Sequence, residues 1–314
     1  MGNKSRRFLL QPSTQAFFKE GRKTQGYTFL DFLHGYVYGR WPYLYIGIGT
    51  GEHWLARVLG PLFALFSRLL PRATQYDESL PSNHPTFADT YHGKVVPLQE
   101  AKQLVMINED VRLPDLEQVI PYTKARDIVL KNPDHIVVLD CPCRSSRSHP
   151  CLPLDVCLVI GEPFASFVSE HHPDRSRWIT ADQAVDILQA EDRRGHVHHA
   201  FFKDAMLGRF YAICNCCACC CGAMHAQRNG TPMLANSGYL CHVDEDLCLG
   251  CGECHEYCQF NALTLGDLIV QVDPTNCMGC GVCLSKCPEG ALALHRAPEK
   301  GVPLDIIALM RTIH

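Results

Sequence analysis

Short apolar segments alternate with helical patterns in the middle of the chain, between residues 135 and 213. Thr180 and Gln183 form a capping box, so we expect a helix that begins there and ends at Gly195. A shorter helix is predicted over 164–170. Strands that alternate with helices indicate an α/β layer domain. Buried strands are predicted where apolar, β-branched and aromatic residues cluster, at 135–140, 157–161, 197–202 and 210–213.

The N-terminal part is aromatic over 27–50, and a second apolar segment follows over 54–70. A bilayer-spanning helix needs about 20 apolar residues. The second segment is shorter, contains two arginines and is interrupted by Gly60 and Pro61, so we do not expect it to span a membrane. Two interpretations remain open. It is a helix that lies on a membrane surface or a membrane-bound partner, or an amphipathic helix packed on the protein's own core.

Residues 73–134 contain several prolines and are predicted to be mostly linker. Within them, the apolar positions over 113–131 are compatible with a helix that Pro121 begins or bends. Near the C-terminus, apolar residues at 304, 306, 307, 309 and 310 predict a short amphipathic helix that packs on the rest of the protein.

The chain of 314 residues is long enough for two domains, and its net charge of −4 is unevenly distributed. Residues 1–72 hold ten Lys and Arg against three acidic residues. Residues 243–297 hold eight acidic residues against two basic ones. This acidic surface would attract a basic partner protein, or it is simply a solvated surface. The acidic balance and the absence of a recognisable module argue against nucleic-acid binding.

Cysteine use points to metal rather than to disulfides. The chain has 19 cysteines, grouped in C-x-C, C-C and C-x-x-C runs. Such runs suit metal ligation in a reducing compartment, so we expect a cytoplasmic protein, with a peripheral position on the cytoplasmic face of a membrane as a further option.

The pattern C-x-x-C-x-x-C-x-x-x-C occurs twice near the C-terminus. This is the bacterial type of run that ligates [4Fe-4S] clusters. Glycines lie between the cysteines, and they let the backbone coil tightly around a cluster. The eight cysteines are Cys248, Cys251, Cys254 and Cys258 in the first copy and Cys277, Cys280, Cys283 and Cys287 in the second.

With this doubled motif, residues 243–297 resemble a bacterial two-cluster ferredoxin domain. The resemblance implies that the fourth cysteine of each copy ligates the other cluster. One departure from the pattern is visible, because Pro288 follows Cys287 whereas Gln259 follows Cys258. A pair of zinc sites is the alternative, and the duplicated spacing disfavours it. Cluster 1 is therefore expected on Cys248, Cys251, Cys254 and Cys287, and cluster 2 on Cys277, Cys280, Cys283 and Cys258.

Ten more cysteines follow two of the predicted strands. If those strands are parallel neighbours, their carboxyl ends lie at one edge of the sheet, where open α/β sheets place ligands. We therefore expect a subset of these cysteines to hold at least one further Fe-S cluster; a structural zinc site and redox-active thiols or disulfides are the alternatives. Cys241 lies outside both groups and is predicted to be a buried thiol. The ten are Cys141, Cys143, Cys151, Cys157, Cys214, Cys216, Cys217, Cys219, Cys220 and Cys221.

Residues 135–225 also resemble a domain that precedes ferredoxin modules in predicted iron-sulfur proteins. The resemblance rests on Cys-x-Cys-Arg at 141–144, Cys-Leu at 157–158, Val-His at 197–198 and Ile-Cys-Asn-Cys-Cys-x-Cys-Cys-Cys at 213–221. It implies metal binding. Near such a site, charged or imidazole side chains could contact cluster sulfur or an anion, and one histidine could ligate a metal. The candidates for the contact are Arg144, Arg147 and His198, and those for the ligand are His196, His198 and His199. The alternative for each is an ordinary surface or scaffold residue.

The sequence thus predicts an α+β protein in which an N-terminal α/β layer domain precedes a small ferredoxin-like 2[4Fe-4S] domain. We expect an iron-sulfur electron-transfer protein that serves a partner reductase. The alternative is an oxidoreductase whose N-terminal cluster reduces a substrate directly. No dinucleotide fingerprint or phosphate loop supports NAD or flavin binding. The expected segments are a basic, aromatic N-terminal part (1–72), a linker and helical part (73–134), a cysteine-rich domain (135–237), the dicluster domain (238–297) and a C-terminal helix (298–314).

Overall fold

A computed structural model describes residues 11–56, 90–114, 116, 119 and 127–313. Its helices are α1 (Pro12–Gly21), α2 (Phe29–Arg40), α3 (Pro42–Gly49), α4 (Leu98–Met106), α5 (Pro142–Ser145), α6 (Phe164–His171), α7 (Ala181–Arg193), α8 (Gly222–Arg228), α9 (Glu253–Glu256) and α10 (Ile306–Ile313). Its strands are β1 (Tyr91–Val95), β2 (Val111–Leu113), β3 (Ile128–Leu130), β4 (Ile136–Asp140), β5 (Asp155–Ile160), β6 (Ser176–Ile179), β7 (Val197–Lys203), β8 (Arg209–Cys216), β9 (Leu234–Ala235), β10 (Tyr239–Val243), β11 (Leu263–Leu265), β12 (Val270–Val272) and β13 (Leu292–Arg296).

A seven-stranded sheet in the order β6-β4-β5-β8-β7-β1-β9 forms the larger part of the fold. The four predicted strands are confirmed as β4, β5, β7 and β8. The expectation that the two cysteine-bearing strands, β4 and β8, are parallel neighbours is wrong because they are not adjacent. Every described pairing in this sheet is antiparallel except β1 with β9, and β5 lies between β4 and β8. The architecture is therefore α+β rather than a parallel α/β layer.

The two cysteine-bearing strands nevertheless end at the same edge of the sheet. Because β4 and β8 are each antiparallel to β5, they run in the same direction. Their carboxyl ends lie beside the start of β5 and the start of β7, where Val197 pairs with Cys216. The predicted convergence of the cysteines thus has a different cause, which is two antiparallel pairings in succession.

Helices cover both faces of the sheet. On one face, α4 and α7 bury apolar side chains such as Leu104 and Leu188 against the strands. The capping box is confirmed, since Thr180 Oγ1 accepts a hydrogen bond from Gln183 N and Gln183 Oε1 accepts one from Thr180 N. On the other face, α1, α2 and α6 cover the strands, and the Phe17 ring makes edge contacts with Phe164 and Phe167.

The described N-terminal residues pack on the protein's own core, because Phe17 and Tyr36 are buried in it. The described N-terminal residues also include large apolar side chains that are exposed. Phe29 and Leu30 at the start of α2 are 64 % and 73 % accessible, and Trp54, which follows α3, is 66 % accessible. The apolar segment predicted over 54–70 lies outside the described residues from position 57 onward. Among the helices that the structure describes, none is long and apolar enough to cross a membrane.

Residues 91–106, within the range predicted as linker and helical segment, form β1 and α4, and β1 pairs with β7 in the main sheet. The helix predicted over 113–131 is wrong at both ends, because Leu113 belongs to β2 and residues 128–130 form β3. Burial alternates along both strands, which is the two-residue period of a sheet. Most residues between them lie outside the described part of the chain.

The C-terminal part contains two small antiparallel pairs, β10 with β13 and β11 with β12. It docks near the C-terminal end of α7 through the 3-10 helix Val282–Lys286. The predicted C-terminal helix is present as α10, which packs on α4 and β2, and the adjoining Leu304 and Ile306 are buried.

Candidate metal centres

The C-x-C-R turn begins where β4 ends, and Arg144 fixes it in place. This guanidinium is buried and donates through Nη2 to Glu191 Oε2 (2.5 Å) and to Asn215 O (3.0 Å), and through Nη1 to Pro153 O (2.6 Å). The bonds join the turn to the loop before β5, to the end of β8 and to α7. Arg144 therefore holds the cysteine-bearing segments together, rather than pointing at a ligand as the sequence suggested.

Glu191 is the counter-ion of this network. Burial would raise the pKa of its carboxyl, but hydrogen bonds from His196 and Arg144 outweigh burial and lower it. The pair is thus charged, and its charges are matched by hydrogen bonds in a site without solvent. His196 Nδ1 lies 2.7 Å from Glu191 Oε2, so this histidine belongs to the same network.

The other two candidate histidines are buried in the sheet. His198 Nδ1 donates to Asn215 Oδ1 over 2.6 Å, and Asn215 Nδ2 donates to Val156 O. Burial lowers the pKa of His199 to about 3, so its ring is neutral. Within the part of the chain that the structure describes, the one group of potential metal ligands gathered within 4.8 Å contains no histidine. The predicted histidine ligand therefore gains no support.

Eight of the ten cysteines line a cavity at the sheet edge. The cavity has a volume of about 230 Å³ and opens between the cysteine segments and helices α2 and α3. The Cys141 thiol is hydrogen-bonded to those of Cys143 and Cys157, and these bonds lower its pKa well below the usual range. A hydrogen bond from Cys216 lowers the pKa of the Cys221 thiol as well. Two of the eight lining cysteines are Cys217 and Cys220, and the other six, called here the six cavity cysteines, are Cys141, Cys143, Cys157, Cys214, Cys216 and Cys221.

Three tyrosines and a lysine line the other part of the same cavity. The Tyr38 and Tyr211 hydroxyls are 2.8 Å apart, and Tyr91 is hydrogen-bonded to the same pair. Lys203 Nζ lies 4.6 Å from the Tyr91 ring centroid, and burial lowers its pKa to about 8. The sequence analysis missed these residues. A lysine at the end of the buried β7 was a local signal, whereas the tyrosines come from three distant segments.

The remaining four cysteines lie close together, and two of them, Cys217 and Cys220, also line this cavity. The Sγ atoms of Cys151, Cys217, Cys219 and Cys220 lie within 4.8 Å of one another. Cys151 Sγ is 3.1 Å from Cys219 Sγ, and Cys219 Sγ is 3.7 Å from Cys220 Sγ. Arg147, a predicted anion or cluster contact, instead donates to Cys220 O and pairs with Glu52.

The doubled cysteine motif folds as two tight loops whose glycines allow close backbone approach. A Cβ at Gly250 would lie 2.4 Å from Leu268 O, and one at Gly279 would lie 2.2 Å from Tyr239 O. Both glycines have positive φ. In each copy the fourth cysteine accepts an amide hydrogen bond, from Ala262 N to Cys258 Sγ and from Ala291 N to Cys287 Sγ, both 3.2 Å. Amide bonds to sulfur and glycine-lined loops are the surroundings that an Fe-S cluster requires.

The thiols of this segment interact in two groups. Burial and then the charges of Cys283, Cys287 and Cys251 raise the pKa of Cys254 to about 11. Burial and the charges of Cys283, Cys258 and Cys277 raise that of Cys280. Cys287 of the second copy thus lies near Cys254 of the first, and Cys258 of the first copy lies near Cys280 of the second, while Cys283 is near both. Cys241, predicted to be a buried thiol, is buried 3.6 Å from Cys283 Sγ.

Gln259 connects the two cysteine-rich parts. Its Oε1 accepts from Ala218 N (2.7 Å) and its Nε2 donates to Gly195 O (3.0 Å). Ala218 lies between Cys217 and Cys219, and Gln259 directly follows Cys258. Beside it, Lys286 Nζ donates to Arg193 O and sits over the Tyr257 ring. The glutamine that replaces the usual proline is therefore a junction between the doubled motif and the sheet domain.

Comparison with known proteins agrees with this description of the C-terminal part. Residues 241–291 match the family model of a 4Fe-4S dicluster domain. The match begins at Cys241 and includes all eight cysteines of the doubled motif. No curated protein matches the chain. The chain therefore contains an Fe-S binding domain together with a second cysteine-rich region, a combination that suggests iron-sulfur electron transfer.

Proposed function

We propose that this protein carries electrons between a low-potential donor and a partner reductase, through two [4Fe-4S] clusters and a further cluster in the cavity. The single observation that carries the proposal is the doubled cysteine motif inside the matched dicluster domain. We propose cluster 1 on Cys248, Cys251, Cys254 and Cys287 and cluster 2 on Cys277, Cys280, Cys283 and Cys258, in a ferredoxin-like fold. The two interacting groups of thiols support this division.

The six cavity cysteines supply the ligands of the further cluster in this proposal. Their thiols line a space of about 230 Å³, and hydrogen bonds from Cys143 and Cys157 lower the pKa of Cys141. The Gln259 junction supports electron exchange with the dicluster domain, because it joins the residue after Cys258 to the loop that carries Cys217 and Cys219. Each cluster accepts and releases one electron, so the chain would store about three.

Electron counting tests this function. The anaerobic protein is reduced with dithionite, freed of reductant and titrated with oxidised cytochrome c. We expect about three electrons per chain from the wild type and about two from a Cys143→Ser/Cys214→Ser variant. Clusters that cannot be reversibly reduced and reoxidised would rule out an electron carrier. Equal counts in the two proteins would place no cluster in the cavity.

For the partner, we propose a basic redox protein that docks on the acidic dicluster domain, at or near a cytoplasmic membrane surface. The exposed Phe29, Leu30 and Trp54 support an apolar contact on the N-terminal helices. Binding to vesicles of anionic lipid, compared between the wild type and a Phe29→Ser/Leu30→Ser variant, tests the membrane part. Unchanged binding by the variant would exclude these two residues from the contact.

A second candidate function, direct reduction of a substrate in the cavity, is favoured by one observation. Tyr38, Tyr91 and Tyr211 form a hydroxyl group beside Lys203 in the same cavity as the cysteines. Hydroxyls and an amine whose pKa is lowered to about 8 are proton carriers of the kind that reductive chemistry needs. In this alternative the cluster would keep an open coordination position.

Cyanide is a suitable probe of such a position, since it binds iron that lacks a protein ligand. An EPR signal of the cavity cluster that shifts with cyanide, while the dicluster signals stay fixed, would favour the enzyme. Signals that all remain unchanged would favour the carrier. The Cys143→Ser/Cys214→Ser variant identifies which signal belongs to the cavity.

A further inference from the structure

The four-cysteine group differs from the six cavity cysteines in how closely its sulfur atoms are gathered. In the group, all four Sγ atoms lie within 4.8 Å of one another, and two of the separations are 3.1 and 3.7 Å. Among the described residues no other set of three or more potential ligands is gathered so closely. The eight cysteines of the matched dicluster domain are not gathered in this way.

This spacing fits one metal ion better than a cluster. Zinc with four thiolates has Zn–S bonds of about 2.3 Å, which place the sulfur atoms roughly 3.8 Å apart on a tetrahedron. A [4Fe-4S] cubane has one iron behind each thiolate, so its four cysteine sulfurs are farther apart. The four-cysteine group has the contracted arrangement of a single-ion site, and the dicluster cysteines of the same chain do not.

The loop that supplies three of the four thiols is held by side chains outside it. Arg228 donates to Ala218 O, His225 Nε2 donates to Cys219 O (3.0 Å), and Arg147 donates to Cys220 O (3.2 Å). The Cys217 carbonyl accepts from Cys221 N. Four successive carbonyls are thus engaged, and the thiols of residues 217, 219 and 220 meet Cys151. Two nearby arginines also offset the negative charge of a tetrathiolate site.

We infer that Cys151, Cys217, Cys219 and Cys220 bind a single tetrahedral metal ion, with zinc the ion that this ligand set prefers. The ion joins the loop before β5 to the loop after β8, at the point where Gln259 attaches the dicluster domain. Its role is to fix the loop, since four protein ligands leave no open position for catalysis. The site does not rest on the proposed electron-transfer function, because none of its four cysteines is a proposed ligand of the further cluster, although Cys217 and Cys220 also line the cavity.

Metal analysis of paired variants tests this inference. We expect the anaerobically purified wild type to contain about one zinc per chain. A Cys219→Ser/Cys220→Ser variant should lose the zinc and keep its iron. The matched Cys143→Ser/Cys214→Ser variant should keep the zinc and lose about four irons. Retained iron in the first variant shows that the protein has folded.

Three results would overturn the inference. Loss of iron from the Cys219→Ser/Cys220→Ser variant would assign these cysteines to a cluster. Zinc that stays in that variant would place the ion elsewhere. A wild type without zinc, in which mass spectrometry finds Cys151 linked to Cys219, would make the pair a disulfide. The iron lost from the cavity variant is a separate result, so failure of the zinc site and failure of the electron-transfer proposal are distinguishable.

Discussion

Gln259 Oε1 lies 2.7 Å from Ala218 N and accepts its hydrogen bond. Ala218 stands between two cysteines of the four-cysteine group, and Gln259 follows a cysteine of the doubled motif. The one departure from the ferredoxin pattern in the sequence is thus the residue that joins the two metal-binding regions. Proline at this position has no amide side chain and could make neither of the bonds that Gln259 makes.

Replacement of Gln259 by Ala should loosen the Ala218 loop. The Ala218 amide would then be partly buried without an acceptor, which lowers the local stability of the loop by about 1–3 kcal/mol. This corresponds to roughly 5- to 150-fold faster hydrogen exchange. Exchange measured by mass spectrometry on the peptide 214–221 checks this. A Gln271→Ala variant, which changes an exposed glutamine on β12, is the control. Equal protection in both variants would show that the junction does not hold the loop.

Two glycines of the first motif should respond differently to the same change. Gly250 and Gly252 both have positive φ, but a Cβ would lie 2.4 Å from Leu268 O at the first and 3.8 Å from Leu265 Cδ2 at the second. Backbone strain is common to both, at about 1 kcal/mol. We expect Gly250→Ala to lose about four irons because its loop cannot close, and Gly252→Ala to keep them. The iron content per chain of the two variants tests this expectation. Equal losses of iron would show that the close contact of Gly250 with Leu268 O does not matter for the loop.

Removal of one partner of the Arg144–Glu191 pair should be strongly destabilising. Both side chains are buried, at 1 % and 0 % exposed, so Glu191→Gln leaves a guanidinium without its counter-ion. A loss of about 3–5 kcal/mol is expected for such a pair. The double variant Arg144→Met/Glu191→Gln removes both charges and should lose less than the sum of the single variants. Unfolding monitored by circular dichroism gives these values, and strict additivity would mean that the two residues do not interact.

Lys203 should make stability depend on pH. Burial lowers its pKa to about 8 from 10.5, so between these values the unfolded chain holds a proton that the folded protein does not. The free energy of unfolding therefore rises with pH in this window. Lys203→Met removes this dependence. The free energy of unfolding of the variant minus that of the wild type should therefore fall by about 2 kcal/mol between pH 7.5 and 9.5.

The exposed Lys19→Met provides the matched control for this experiment, because it removes the same charge from the surface of α1. Its difference from the wild type should stay constant over the window. Parallel pH profiles for Lys203→Met and the wild type would show that the buried amine does not titrate on unfolding.

Local patterns predicted the elements of the sheet domain well. The apolar segments gave β4, β5, β7 and β8, and Thr180 with Gln183 gave the start of α7, because burial and capping are properties of a few neighbouring residues. Strand direction is not local. Nothing within the segment at 136–140 indicates that its neighbours run antiparallel to it, so the position of β5 between β4 and β8 was not predicted.

The candidate sites, too, were predicted where the sequence signal is local and missed where it depends on the topology of the fold. The doubled cysteine motif is a local signal, and the family match covers the same residues. The separation of the other ten cysteines into six and four depends on the order of strands and on Arg144, which draws three segments together. The group of tyrosines comes from α2, β1 and β8, and residues so distant in sequence meet only through topology.

The most direct test of the central claim is the content of iron and acid-labile sulfide per chain in anaerobically purified protein, together with EPR of the reduced form. Two clusters in the dicluster domain and one in the cavity predict about twelve irons and a third reducible signal. About eight irons, with only the two dicluster signals, would contradict the claim that the cysteine-rich sheet domain holds an Fe-S cluster.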